Sequence, residues 1–157
     1  MRDLAAVLRF SLDGRDRRTV PLEDELALVA AYLEIQEARF QRLDYAVDVP
    51  ATLHRCEVPR FALQVLVENS VLHVVQVRPG SRRIRVQARA VDDALELAVW
   101  DDGPGFSLEE IAPGHALDML RQRLDALYGA AARLAVDRRE GGTMVSVRVP
   151  MRAEARS

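Results

Sequence analysis

The chain contains no lysine; all 22 basic residues among its 157 are arginine. No lysine ammonium can therefore hold a phosphate, and the Gly-Lys-Ser/Thr end of a P-loop is missing. Cysteine is scarce too. The single Cys56 excludes an internal disulfide and suits a reducing compartment. No apolar run approaches the length of a membrane span, and no signal peptide is visible. The formal net charge of −2 supplies no basic field that would draw the chain to nucleic acid or anionic lipid. The three histidines, His54, His73 and His115, and the acids lack the ligand spacing of a metal hydrolase. These absences predict a cytoplasmic chain, which can equally be the cytoplasmic part of a membrane-anchored protein, with no nucleic acid among its partners.

What is present suffices for one domain, since about half the residues are apolar. Leu4, Val7, Leu8 and Leu12 predict a short amphipathic helix whose apolar face needs a partner, from an upstream segment or a second chain. Residues 13–19 read as a loop. Pro21 is placed to open a longer helix on Leu22, Leu26, Val29, Leu33 and Phe40, with Gln36 in one polar slot. Glu23, Asp24 and Glu25 suit the positive end of its dipole. A strand follows from Leu43 to Val49, then a connection over 51–58, and Pro59 opens a second helix with Leu63, Leu66, Val67, Ser70, Val71 and Val74 inward. After a Pro79-Gly80 turn, Ile84 to Ala90 alternate with arginines and glutamine, and a hairpin at Asp92-Asp93 leads to Leu95, Leu97 and Val99. Residues 101–113 form a loop. Leu117, Leu120, Leu124 and Leu127 mark a third helix capped by Gly129. Leu134 and Val136 belong to a strand, Gly141-Gly142 to a turn, and Thr143 to Val149 to a last strand. The order predicts a two-layer α/β (α+β) sandwich, a mixed and mainly antiparallel sheet with helices on one face.

Two stretches place polar groups in apolar settings. Glu68, Asn69 and His73 lie on the second helix, where buried polar groups need partners; the alternative is a surface stripe. Val99-Trp100 runs into Asp101-Asp102-Gly103-Pro104-Gly105-Phe106. A carboxylate ending a buried strand can accept a hydrogen bond from a ligand, and the glycines allow close approach; an ordinary Asp-Asp-Gly turn is the alternative. Gly114 before the third helix suits an anion at a helix N-terminus, or is a simple helix start.

In this order the motifs resemble the ATP-binding domain of LytS/YehU-like sensor histidine kinases, a Bergerat-fold (GHKL) ATPase. Leu66 to His73 looks like the N box and Asp101 to Phe106 like the first glycine box. Gly114 to Gly129 looks like the second glycine box with its helix, and Gly141-Gly142-Thr143 like the last. Leu8 to Leu12, Val20 to Leu26 and Tyr32 to Phe40 resemble the run between the phosphoacceptor region and the ATPase. The resemblance implies the end of the dimerisation region over 1–20, the ATPase domain over 21–150 and a disordered tail over 151–157. It implies ATP and Mg²⁺ as cofactors, with Asn69 ligating the metal and Glu68 acting as catalytic base or polarising group. Asp101 would accept from the adenine amino group, with Gly103, Gly105 and Thr143 beside the nucleotide. His73 would flank the ribose or phosphates, and Gly114 and Leu117 would lie at the phosphate end. It implies transfer of the γ-phosphate to a histidine on a dimerisation segment outside this chain, an indirect response-regulator partner, and a homodimer through the N-terminal helix.

Three positions depart from that pattern, all on the phosphate side. Leu72 stands where a lysine or other polar residue is usual, Ala116 replaces a glycine, and Met119 replaces an asparagine. They favour one alternative to the kinase, a degenerate nucleotide-binding-like module that no longer catalyses and acts through protein contacts; a second alternative, an anti-sigma-type serine kinase, rests on such kinases consisting of little more than this domain. The Tyr32 to Phe40 run argues against the last.

Overall fold

A computed structural model describes residues 18–40, 42–77 and 82–151. The expected N-terminal helix over 1–12, the Pro79-Gly80 turn and the tail beyond Met151 lie outside the described residues.

The elements in chain order are β1 (Thr19–Pro21), α1 (Leu22–Arg39), β2 (Leu43–Asp48), β3 (Glu57–Pro59), α2 (Ala62–Val77), β4 (Arg82–Val91), β5 (Ala94–Asp101), α3 (Ala116–Tyr128), β6 (Arg133–Arg139) and β7 (Gly142–Pro150). Single 3₁₀ turns at Ala51–Leu53, Leu108–Glu110 and Gly129–Ala131 join them. The main sheet has the order β2-β4-β5-β7-β6, and only the β2–β4 pair is parallel. Strand β5 is central, so its C-terminal Asp101 emerges between the ends of β4 and β7.

Strand alternation places Ile84, Val86 and Ala88 of β4, Leu95, Leu97 and Val99 of β5, and Val145, Val147 and Val149 of β7 on the buried face. Arg83, Arg85, Gln87 and Arg89 face solvent. Helix α2 covers the buried face with Leu63, Leu66, Val67, Val71 and Val74, and α3 adds Leu117, Leu120 and Leu124. Helices on one face of a mixed sheet match the expected architecture. No helix among the described residues is long and apolar enough to cross a membrane.

Both prolines assigned to helix starts act differently. Pro21 ends β1 and is the N-cap of α1, while Pro59 ends β3, three residues before α2 begins. Strands β1 and β3 pair antiparallel, Thr19 opposite Pro59 and Pro21 opposite Glu57. The stretches read as loop and connection thus form a two-stranded ribbon. Proline's fixed φ suits an extended strand end as well as a helix start, so the residue type alone does not separate the two. On α1 the inward face rests on Leu22, Leu28, Val29 and Leu33, with Glu25 and Gln36 also buried, while Leu26 is only half-buried. The last turn comprises Glu140 and Gly141, both at positive φ, and Gly142 already belongs to β7. That two-residue loop suits the twist of a hairpin.

Candidate nucleotide site

The two carboxylates that end β5 diverge. Asp102 continues the sheet edge: its N–H donates to the Arg83 carbonyl at 3.3 Å, and its Oδ1 accepts from the Arg83 N–H at 3.1 Å. Asp101 turns inward and is fully buried. Its Oδ1 accepts the Gly103 N–H at 2.8 Å, whereas Oδ2 is buried with no hydrogen-bond partner. Burial pushes the Asp101 pKa above the ordinary carboxylate value; the Gly103 N–H, the nearby Ser70 hydroxyl and the His73 ring oppose that rise. A carboxylate oxygen held in this way is an acceptor awaiting a donor.

The surrounding residues come from three elements. Helix α2 presents Ser70 and His73 on one face. His73 Nδ1 stands 3.9 Å from Asp101 Oδ2, and both atoms are buried without partners, as is Ser70 Oγ. The loop after β5 returns over this spot, and the Phe106 ring packs edge-on against His73 with centroids 4.6 Å apart. Thr143 on β7 is paired with Asp101 across the sheet and is fully buried, its hydroxyl 3.5 Å from the Gly103 carbonyl. A guanidinium nitrogen of Arg138 donates to the Pro104 carbonyl, fastening the loop to β6.

Close approach explains two glycines here. A Cβ on Gly103 would lie 2.8 Å from Asp101 Oδ1, and one on Gly142 would lie 2.0 Å from the Asp101 carbonyl oxygen. Gly105 has φ +89, a backbone shape L side chains rarely adopt.

Of the expected site residues, the structure thus brings His73, Asp101, Gly103, Gly105 and Thr143 together. His73 sits at the carboxylate end of the cluster. Asn69, the one asparagine in the chain, is half-buried, and its Nδ2 lacks a partner. Glu68 is exposed and accepts the Gln64 amide at 2.9 Å, so it stands on the wet side of α2 rather than in the core. It faces a groove of about 540 Å³ between α1, α2 and α3 whose walls include Tyr32, Phe61, Gln64, Ala116 and Met119. Glu68 and the start of α3 therefore share one cleft.

The start of α3 is partly satisfied by the chain's own groups. His115 is its N-cap, with Nδ1 accepting the Leu117 N–H at 3.1 Å, and the Asp118 carboxylate accepts the Gly114 N–H at 3.2 Å. The free amides expected at Gly114 are thus engaged by the chain's own groups, and the Leu117 side chain is core.

Sequence reading missed Ser70 and Arg138 as site residues. Ser70 was assigned to the core face of α2, and only its three-residue spacing from His73 hints that both flank one group. Arg138 carries no signal beyond its place near the last hairpin.

Comparison with known proteins agrees with this geometry. Residues 59–153 match the family "Histidine kinase-, DNA gyrase B-, and HSP90-like ATPase", and residues 1–43 match "Histidine kinase". Sensor protein LytS of Staphylococcus saprophyticus is 33% identical over 94% of this chain, and that of Enterococcus faecalis 33% over 96%. The chain spans only 27% and 28% of those relatives' lengths. Among solved structures, the catalytic domain of histidine kinase ThkA aligns with a TM-score of 0.65 at 16% identity, covering 84% of this chain and 93% of that one. The histidine kinase domain of a blue-light activated kinase from Erythrobacter litoralis aligns at 0.63 and 19% identity, covering 93% and 70%. A structure of ThkA in complex with response regulator protein TrrA aligns at 0.64 and 16% identity, covering 94% and 47%. The chain belongs to the histidine kinase-, DNA gyrase B- and HSP90-like ATPase family.

Proposed function

We propose that this domain binds ATP with its adenine on Asp101 and passes the γ-phosphate to a histidine on a dimerisation segment outside the described residues. The buried, unpartnered Asp101 Oδ2 carries the reading. An exocyclic amine donating to it would satisfy an atom that burial otherwise penalises. Such a charge-assisted bond contributes about 1.5–3 kcal/mol, roughly one to two decades in affinity. Ser70, Thr143 and the Gly103 backbone would shape the purine edge, Gly105 would let the loop turn beside it, and His73 would flank the ribose.

Asn69, half-buried on α2 beside the cleft, would take the metal through its amide oxygen, leaving Nδ2 to donate to a phosphate or water. No cluster of three acids, histidines or cysteines suited to a metal exists among the described residues, which suits Mg²⁺, a cation usually held by few protein groups, phosphates and water. When bound, Mg²⁺ supplies charge neutralisation for the phosphoryl oxygens. Glu68, exposed at the cleft that α3 also lines, is placed to accept the acceptor histidine's proton or to polarise its ring. The groove beyond it, walled by Tyr32, Phe61 and Met119, would receive the acceptor-bearing segment.

The ATPase domain would span 21–150 with residues 1–20 as the end of the dimerisation region, although the pairing of β1 with β3 ties Thr19 and Val20 to the domain side. The ThkA–TrrA complex supports a response regulator as the next partner in the relay, and the spacing of Leu4, Val7, Leu8 and Leu12 in the sequence supports a homodimer. A placement on the cytoplasmic side would give such a kinase access to ATP.

Calorimetric titration with MgATP tests the site. Binding should occur, and Asp101→Asn should weaken it by about ten- to a hundredfold; equal affinity in the variant would overturn the adenine assignment. Offering the domain a separately made histidine-containing segment should yield an acid-labile phosphate that Glu68→Gln diminishes. A second reading, a nucleotide-binding module without catalysis, rests on the engaged amides at Gly114 and Leu117. It predicts MgATP binding with no phosphate transferred.

A further inference from the structure

Glu25 belongs to none of the motifs discussed above, yet it is a fully buried acid at the meeting point of three helices. It lies in the first turn of α1. Its Oε2 accepts the Phe61 N–H at 2.9 Å and its Oε1 the Leu63 N–H at 3.1 Å, and the Gln64 N–H also points toward it. These are amides at the start of α2, the helix that carries Glu68, Asn69, Ser70 and His73. Phe61 has φ +67, a conformation rare for an aromatic residue, which turns successive amides toward one carboxylate. From the other side, Arg123 of α3 donates to the Arg60 carbonyl at 2.5 Å and attracts Glu25 electrostatically. The Arg60 guanidinium stacks on the Phe61 ring at 4.5 Å. One carboxylate and one guanidinium thus tie α1, the N-terminus of α2 and the body of α3 through the short stretch from Arg60 to Gln64.

We infer that Glu25, with Arg123, is a positioning residue that sets α2 against α3 and so fixes the cleft between Glu68–Asn69 and the Gly114 end of α3. This rests on the nucleotide reading. The physical argument is one of geometry. Glu68 lies five residues beyond Leu63, little more than one helical turn. A rotation or slide of the α2 start moves Glu68 and Asn69 almost rigidly. Asp101 lies on β5 and touches neither Glu25 nor Arg123. The network therefore acts mainly on the triphosphate end; at the adenine end only Ser70 and His73 ride on α2, while Asp101, Gly103 and Thr143 stay with the sheet.

The charged group facing Glu25 is Arg123 from α3, on which Arg60 at the head of α2 and Tyr128 also act. Burial pushes the Glu25 pKa up to about 7 against the pull of the amides and Arg123. The network is thus sensitive to pH near neutrality.

The test compares MgATP with adenosine, which reaches only the Asp101 end, in wild-type protein and in Glu25→Gln. The amide side chain keeps the shape but leaves one α2 N–H facing a donor. MgATP affinity should fall about tenfold while adenosine affinity stays within about twofold. The wild-type MgATP affinity should also change between pH 6 and 8, and the variant's should not. A merely structural role would weaken both ligands together and leave the pH profile alone; either result overturns the inference. Should Glu25→Gln fail to fold, Arg123→Gln, acting from half-buried α3, must reproduce the same split. Amide hydrogen exchange separates this inference from the nucleotide reading. Even in a chain that bound no nucleotide, losing Glu25 should speed exchange in the first turns of both α2 and α3. Unchanged exchange in α3 would overturn the coupling.

Discussion

At the scale of single residues, two glycines near Asp101 make opposite demands. A methyl on Gly103 would meet a carboxylate oxygen at 2.8 Å and the His73 Cβ at 3.5 Å. Side-chain atoms can yield by a few tenths of an ångström, so Gly103→Ala should fold normally. The displaced carboxylate should then cost about three- to tenfold in nucleotide affinity, read by calorimetry. A methyl on Gly142 would instead meet the Asp101 backbone oxygen at 2.0 Å and the Trp100 ring at 2.7 Å. A central strand cannot move aside without breaking its ladder, so Gly142→Ala should lower stability by about 2 kcal/mol. For a domain of this size that is roughly 4–8 °C in the midpoint of thermal unfolding. A Gly142→Ala protein of unchanged midpoint would show that the two strands are not held this closely in solution.

At the scale of elements, α3 begins with its own anion. Asp118 accepts the Gly114 N–H and pairs with Arg121 at 2.9 Å; the Gly114 bond, then Arg121, hold its carboxyl below the ordinary value. A carboxylate there occupies the place where the helix dipole would favour phosphate. Asp118→Asn should therefore tighten MgATP binding about two- to fivefold at low ionic strength, with the gain fading as salt screens it. An unchanged or weaker affinity at low salt would separate α3 from the phosphates. The element pattern also shows what a linear sequence conveys. The α2 face of Leu63, Leu66, Val67, Ser70, Val71 and Val74 was legible because helical period and burial coincide. So was Asp101, because an apolar strand ends on it before two glycines. The β1–β3 ribbon was not legible, since three-residue strands have no period and their pairing spans some forty residues. Glu25 was not legible either. Among Glu23, Asp24 and Glu25, local chemistry assigns all three to the dipole at a helix start, and only tertiary packing selects the third to enter the core and cap α2. The amides at the start of α3 looked open because the Gly114 N–H is taken by Asp118 from inside the helix and the Leu117 N–H by His115, which is not a usual capping residue.

For the whole molecule, the titrating groups set a stability curve with two falling sides. On the acid side, burial alone would raise the Glu96 carboxyl, but its bonds to Arg89 at 2.8 Å and Arg148 at 3.1 Å outweigh that and lower it. A group depressed in the folded state contributes stability above its unfolded pKa and loses it as pH falls through the folded one. The exposed arginines keep this contribution small. On the alkaline side, Glu25 is raised by burial from 4.5 to about 7, and Asp101 is raised by the same cause. Groups raised in the folded state act with the opposite sign. Their contribution is fully present below the unfolded value and is lost as pH rises through the folded one. The domain should therefore be most stable near about pH 5 and lose about 2–3 kcal/mol by pH 8, mostly through ionisation of Glu25. Urea titrations across that range measure the slope directly. Glu25→Gln should be less stable than the parent near pH 5, where it lacks the capping acid, yet nearly flat from pH 5 to 8. An identical slope in the variant would mean that Glu25 ionises no less readily in the folded core than in the unfolded chain. The three-helix junction would then hold a fully charged acid at neutral pH. Bound MgATP should alter the slope, since an affinity that depends on Glu25 protonation must in return shift the Glu25 pKa.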